Sequence, residues 1–486
     1  MNKNEKSILN PMRLFLPIFI AVWSLLIASS ALASDTGLDE EKLKQEVLRL
    51  IVTNHVSGVE EEDLDTSDID SIIESLGDPH TEFYKPEEWE SFIDQLENHY
   101  SGIGVRVGTD GKRFIVIEVF PDSPAMIGGM QEGDFIVAVD GKPTEGLTLD
   151  ELVANIKGEE GTPVNITVER SGEYIELNLF RAEIQIPVIS GHYFENGTGY
   201  IRLSSFSTIA DEAFAEMLGI MRAQGLKALV LDLRDNPGGL LETAGGIAAN
   251  FIADGNLIYM RDRSGTEIPL RISGKDPLEV PVYVLVNEYS ASASEVLAGA
   301  LQDYGVATLI GQKTFGKGSV QNLYRLPGGA GLKLTVQEYL TPNKRKVDQV
   351  GIEPDIEVFG DVPQLVTALQ KAGDINITLE LGNNDLVVNG LKVPERFAVI
   401  RENGRVFAPS RVLAAVIDGK IAWQPDTRSA VIEQGNTKAV FAAGGEGILI
   451  RGGTLYIDLT VFEQHFPDFD WREGQERLVL IEKGED

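Results

Sequence analysis

Two short runs constrain the fold more than anything else in the chain: ALVLDL (228–233) and VYVLVN (282–287). Each is apolar at nearly every position and short enough to be a strand covered on both faces, the arrangement of a buried parallel sheet. Small residues follow each run, and then a helix-like segment. In such a strand–turn–helix order, functional groups collect at the carboxyl ends of the strands. An α/β core over roughly 182–362 is the expectation.

At 486 residues the chain is too long for one ordinary core, so further modules are expected on either side. Residues 38–99 read as helical. Leu43, Val47, Leu50 and Ile51 recur at helical spacing, and PEEWESFIDQLENHY opens at Pro86, a good first helical position with acidic residues in its first turn. These helices are candidates for packing on the core or on a second copy in a homodimer, and the sequence leaves both open. Residues 100–181 are β-rich, with FIVIEVF, FIVAVDG and VNITVER separated by Gly, Pro and Asp turns. Residues 375–484 contain a duplication: GRVFAPSRVLAAVIDGKIAWQPDTRSAVI (404–432) aligns with GTLYIDLTVFEQHFPDFDWREGQERLVLI (453–481), matching Trp423 to Trp471. Each copy reads as strand, short helix, strand, strand. Two copies predict a small duplicated β-rich domain, since a solenoid needs about three repeats or more.

The first residues carry an address. Lys3, Lys6 and Arg13 precede the apolar stretch Leu14–Ile27, and Ala31-Leu32-Ala33 offers a small-x-small cleavage site. Residues 1–33 therefore read as a signal peptide or, uncleaved, as a membrane anchor, and the rest of the chain is expected outside the cytoplasmic membrane, extracellular or at the cell wall. The balance of 42 Lys and Arg against 75 Asp and Glu, a formal charge of -33, excludes the basic footprint that nucleic acid requires. With no cysteine in the chain, cysteine catalysis, disulfides and thiolate metal sites are all excluded. No cofactor and no metal is expected.

A hydrolase needs a nucleophile, a base and an oxyanion site. Of the five histidines (His55, His80, His99, His192 and His465), none lies beside a serine-bearing strand–turn–helix element, and there is no GxSxG elbow. His80, in GDPHT, reads as a turn residue. In VNEYSASASEVLAGAL (286–301) a helix is expected to start near Ser294, placing a serine hydroxyl where helix N–H groups favour developing negative charge. Ser294 with Glu295 also reads as a cap and Ser290 as a turn residue, so the run alone does not choose among its serines. In KTFGKGSVQ (313–321), Lys317 lies between two glycines. GQKTFGKG departs from a nucleotide-binding loop, having Gly318 where that loop needs Ser or Thr. A lysine among small neighbours can instead enter an apolar cleft, where burial lowers its pKa until it can take a proton from a serine. Gln321 is placed to hold its amine.

The segments LRDNPGG (233–239), SASASE, TFGKGSVQ, YLTP and GIEPD, in this order, resemble the carboxyl-terminal processing (tail-specific) proteases from about residue 38 to 360. That resemblance implies a crotonase-like core, a serine endopeptidase, Ser292 as nucleophile, Lys317 as general base, Gln321 as its assistant, and an oxyanion hole from Gly238, preferred over Gly239, with Ala293. YSGIGVRV (100–107) and SPAMIGGMQEGDFIVAVDG (123–141) resemble a PDZ domain, implying that Ser101, Gly102, Ile103 and Gly104 receive the terminal carboxylate of a peptide and that this module gates the site. An arginine assists that coupling in several relatives; Lys157 and Arg170 lie in the corresponding half, and the role is left unassigned. The duplicated region resembles the stalk-like N-terminal domain of copper amine oxidases. With one histidine and no cysteine there, it reads as a binding or scaffolding appendage, for cell-wall contact or oligomerisation, and not as a copper site. The fold expectation is thus multidomain α/β and β, and the partners are proteins or peptides with accessible C-termini. The alternative is a non-catalytic PDZ and stalk scaffold of the cell envelope.

Overall fold

The computed structural model describes residues 36–97, 99–109, 112–373, 376–382, 385–474 and 477–482. The leader read at residues 1–33 lies outside them.

The two apolar runs are neighbouring central strands. A six-stranded sheet runs in the order 189–193, 198–203, 228–232, 282–286, 308–311, 356–357, parallel throughout except for its first pair. Side chains alternate faces along a strand. Leu229, Leu231, Val282, Val284, Val286 and Leu309 therefore enter one core, beneath the helices Ala210–Ala223, Leu241–Ala248 and Ala293–Asp303. Tyr200, Val230, Leu285 and Ile310 enter another on the opposite face. Burial on both faces explains why these runs are continuously apolar instead of alternating.

That second face is covered by the helix Asp361–Lys371 and then by the C-terminal β-rich region, within one continuous apolar cluster that reaches from Val230 to Phe462. The region read as an appendage is thus packed against the core sheet. Its duplication is visible in the elements: Arg405–Pro409 and Ser410–Val416 correspond to Thr454–Asp458 and Leu459–His465, and the two leading strands pair antiparallel. A further contact joins it to the PDZ-like module, Lys392 Nζ to Glu132 Oε2 at 3.2 Å.

A five-stranded antiparallel sheet adjoins the core. In it the strand Gly331–Leu340 pairs with Glu82–Tyr84, Asp254–Arg261 and Ser319–Arg325. The N-terminal helices Thr36–Asn54 and Ile69–Ser75 pack on this sheet through Val47, Leu48, Ile51 and Ile72 against Leu332 and Leu334. Of the two packings left open by the sequence, the apolar stripe of the first helix takes the one within its own chain. The PDZ-like module is a separate six-stranded sheet with the helix Leu149–Ile156 against it and its own core around Ile136, Leu152 and Ile166. Its ends are tied by a ribbon in which His99–Gly102 pairs antiparallel with Ala182–Gln185.

Candidate active site

The strand Val282–Val286 delivers the chain into the turn Asn287–Ala291, and the helix Ala293–Asp303 opens at once. The three serines of this element have different environments. Ser290 and Ser294 are fully buried and donate their hydroxyls to the carbonyls of Leu233 (2.8 Å) and Asn236 (2.9 Å). These two fasten the element to the neighbouring loop. Ser292 is half-buried, with φ 55° and ψ -116°, a conformation costly for any residue bearing a Cβ. The helix opens at Ala293, one residue before the expected Ser294, with Ser292 outside it as its cap residue.

Glu295, three residues on, is fully buried, and its carboxylate joins two elements. Oε1 accepts from Thr314 Oγ1 (2.5 Å) and the N–H of Gly316 (2.7 Å); Oε2 accepts from the N–H groups of Lys317 (2.8 Å) and Ser292 (3.0 Å). Burial raises its carboxyl in pKa, and these donors offset only part of that rise. Three of these partners are backbone N–H groups, which can only donate, whereas the Thr314 hydroxyl can donate or accept. From the other side, the Tyr339 hydroxyl lies 2.8 Å from the Lys317 carbonyl and 3.2 Å from that of Ser292. One carboxylate and one phenol thus bind the backbones of Ser292 and Lys317 together.

The glycines around Lys317 let its segment pass between Glu295 and the turn 348–351. A Cβ on Gly318 would stand 2.1 Å from the Asp348 nitrogen, and Gly316 has φ 93°. The strand Ser319–Arg325 follows, whereas a nucleotide-binding loop would open a helix here. Lys317 is half-buried; burial and then Lys333 lower its pKa, against Glu82, Asp78 and Glu295, which raise it. Gln321 follows a bulge in that strand, and its amide donates to Ser319 Oγ (2.9 Å) and Thr335 Oγ1 (3.3 Å).

The loop after the strand Ala228–Asp232 meets Ser292 from the far side. Gly238, at φ 103°, lies so close that a Cβ there would be 2.8 Å from Ser292 Cβ and 2.9 Å from the Ala293 nitrogen. Gly238 thus abuts Ser292 and Ala293, but its N–H is donated to Asn236 Oδ1 at 2.9 Å.

Several contributors escape the motif reading. Glu295 sits at the spacing of a capping box, a signal that accounts for its bond to Ser292 but not for its hold on the lysine segment. Tyr339 has no local signature. The GDPHT turn is larger in effect than its sequence implies: Asp78 accepts from Thr81 Oγ1 (2.6 Å) and the His80 N–H (3.0 Å) and lies 3.3 Å from His55 Nε2. Burial would raise the Asp78 carboxyl, yet its bonds to His55, Thr81, Thr335 and His80 hold it well below the ordinary range. Of the other histidines, His192 packs edge-on to Phe194, and His465 lies against Phe441 with Nδ1 2.9 Å from the Val461 carbonyl. Among the described residues no cluster of three or more His, Cys, Asp or Glu is placed to hold a metal ion.

In the PDZ-like module, Ser101, Gly102, Ile103 and Gly104 line a groove of about 180 Å³ together with Phe120, Val153 and Lys157. The Ser101 hydroxyl is buried without a hydrogen-bond partner among the described residues. Arg170 is committed elsewhere in the module, to Asp134 and the Gly129 carbonyl.

Residues 197–358 match Peptidase family S41, residues 115–170 a PDZ domain, and residues 362–432 and 394–465 the copper amine oxidase N-terminal domain. The chain is 36% identical over 295 residues to the carboxyl-terminal-processing protease of Synechocystis sp., covering 59% of this chain and 69% of that one. It is 32% identical over 360 residues to the carboxy-terminal-processing protease of Bartonella bacilliformis, covering 71% and 82%. A probable CtpA-like serine protease of Staphylococcus saprophyticus is 30% identical over 383 residues, covering 78% and 76%. Among solved structures, a photosystem II D1 C-terminal processing protease is 27% identical, covering 66% of this chain and 94% of that one with a TM-score of 0.44.

Proposed function

Because the chain belongs to the carboxyl-terminal processing proteases of peptidase family S41 and is a serine-type peptidase, we propose that it cleaves proteins near their C-termini with Ser292 as nucleophile and Lys317 as general base. The observation that carries this reading is the Glu295 carboxylate, which bonds the backbone N–H of both residues at once. Neutral Lys317 takes the Ser292 hydroxyl proton as Oγ bonds to the scissile carbonyl carbon. The oxyanion is received by the Ala293 N–H at the helix start and by a glycine of the 238–239 pair. Since Gly238 N–H is given to Asn236, Gly239 is the better donor of the two. The Lys317 ammonium then protonates the departing amine, and water, deprotonated by Lys317, releases the acyl group from Ser292. Gln321 orients the amine.

The substrate tail enters the PDZ groove, its carboxylate against the Ser101–Gly104 amides and its apolar side chains against Phe120 and Val153. Ser101 and Gly102 also belong to the ribbon that ties the module to the core. Occupancy of the groove thereby bears on the module's hinge, which supports gating. The enzyme acts outside the cytoplasmic membrane, as the leader-like residues 1–33 support.

Cleavage of a tailed model protein by the full chain tests the dyad. Ser292→Ala and Lys317→Ala are each expected to lose activity by about a thousandfold or more, and His80→Ala to keep it. Undiminished cleavage in either of the first two variants sinks the dyad; loss in the third favours a histidine base.

A further inference from the structure

The loop 233–239 is held to the nucleophile element on one side, through Ser290, Ser294 and the Ala291 N–H donated to the Asn236 carbonyl. Its other side rests on buried charge. Asp232, fully buried at the end of its strand, accepts from Tyr200 Oη (2.7 Å) and from Arg234 Nε (2.8 Å), Nη2 (2.6 Å) and backbone N–H (3.0 Å). Burial would raise its carboxyl, and Arg234 and Arg202 outweigh that effect. Arg234 is itself fully buried and donates through Nη1 to the Asp361 carbonyl (2.6 Å). A second arginine, Arg202, lies 3.9 Å from Asp232 and 3.4 Å from Asp235 within the loop.

Beside the fully buried Asp232–Arg234 pair, Arg202, its side chain 19% exposed, meets one more carboxylate, that of Glu395. Its side chain is 8% exposed, and Oε1 bonds Arg202 Nη1 and lies 3.4 Å from Arg234 Nη2. Glu395 follows the strand Leu391–Val393, outside the peptidase match and inside the copper amine oxidase N-terminal-like one. Its Oε2 is buried without a partner among the described residues. Buried ion clusters are weak contributors to stability, and a half-satisfied one is weaker still. What such a cluster does provide is a fixed position for the segment that carries Arg234.

We propose that Glu395 is a positioning residue: through Arg234 and Arg202 it fixes the loop that presents Gly238 and Gly239 to Ser292, which makes the C-terminal region a constituent of the active centre. The catalytic half of this inference rests on the oxyanion assignment above. A mispositioned donor weakens transition-state contacts more than substrate binding, so kcat falls while KM holds.

The test uses the full chain, with kcat and KM on a tailed peptide and hydrogen exchange of the 233–241 segment measured side by side. Glu395→Gln is expected to lower kcat about tenfold or more with KM within about twofold, and to speed exchange in that segment. Arg202→Gln/Glu395→Gln restores charge balance and is expected to regain most of the lost kcat. Glu395→Asp keeps the charge, serves where Gln impairs folding, and is expected to lose kcat about threefold or more from the one-methylene retreat. Unchanged exchange and unchanged kcat in Glu395→Gln, full kcat in Glu395→Asp, or a double variant no better than the single overturns the proposal. Faster exchange with unchanged kcat instead overturns the oxyanion assignment and leaves Glu395 holding the loop.

Discussion

Lys317 works among charges of both signs, and two of these face each other across a strand pair: Glu82 and Lys333 are directly opposed, with Lys333 Nζ 3.1 Å from Glu82 Oε2. Lys333 lowers the pKa of Lys317 and Glu82 raises it. If the neutral amine is the working form, activity rises with pH through that pKa. Lys333→Gln removes a lowering influence, so the midpoint of the kcat/KM profile moves to higher pH; Glu82→Gln moves it to lower pH, and the double variant returns near the starting value. Shifts of the same sign in both single variants would refute Lys317 as the titrating group. Ser292 allows a second test. Its φ of 55° with ψ of -116° suits glycine far better than a residue with a Cβ. Ser292→Gly is therefore expected to unfold at higher denaturant than Ser292→Ala, by about 1 kcal/mol, while both are inactive. Equal midpoints would mean that the turn stores no strain. A lysine between glycines was legible in the sequence. The charges that tune the lysine were not, because Glu82 and Lys333 meet only through pairing of strands remote in the chain.

At the scale of elements, legibility follows how local the cause is. The strands Ala228–Asp232 and Val282–Val286 announce themselves by composition, and the helices Thr36–Asn54 and Pro86–Glu97 by periodicity and a well-placed proline. The antiparallel sheet that supports Gln321 has no such signature, since its centre, Gly331–Leu340, finds partners both near and far along the chain. The glycines flanking Lys317 read as small neighbours of a lysine. Their reason is a close approach: Gly318 stands against the backbone of Asp348 with no room for a methyl group. Gly318→Ala must displace one segment or the other, at about 1–3 kcal/mol in stability, and it shifts the lysine relative to Ser292. A chain that stays folded by circular dichroism but loses most of its peptidase activity is the expected outcome; full activity would show that the lysine segment has slack.

For the whole molecule, the duplication in the C-terminal region was readable and its docking was not. Apolar runs predict that both faces of the core sheet are covered, without naming the cover. Here Tyr200, Val230, Leu285 and Ile310 share their cluster with Leu379, Ile432 and Phe462. Removing residues beyond 373 would expose that face, at roughly 25 cal/mol for each Å² of apolar surface returned to water. The truncated chain is expected to aggregate on expression, as size-exclusion chromatography would report; a monomeric, fully active fragment would contradict a shared core. The hairpin 386–393 also touches the PDZ-like module through Lys392 and, two residues past its end, Arg202 and Arg234 through Glu395. In evolutionary terms, a domain with such a footing is not a cassette to be gained or shed at a clean joint. A relative without such a domain would need other residues to line the back of the sheet, and the positions equivalent to 200, 230, 285 and 310 are where the difference would be read.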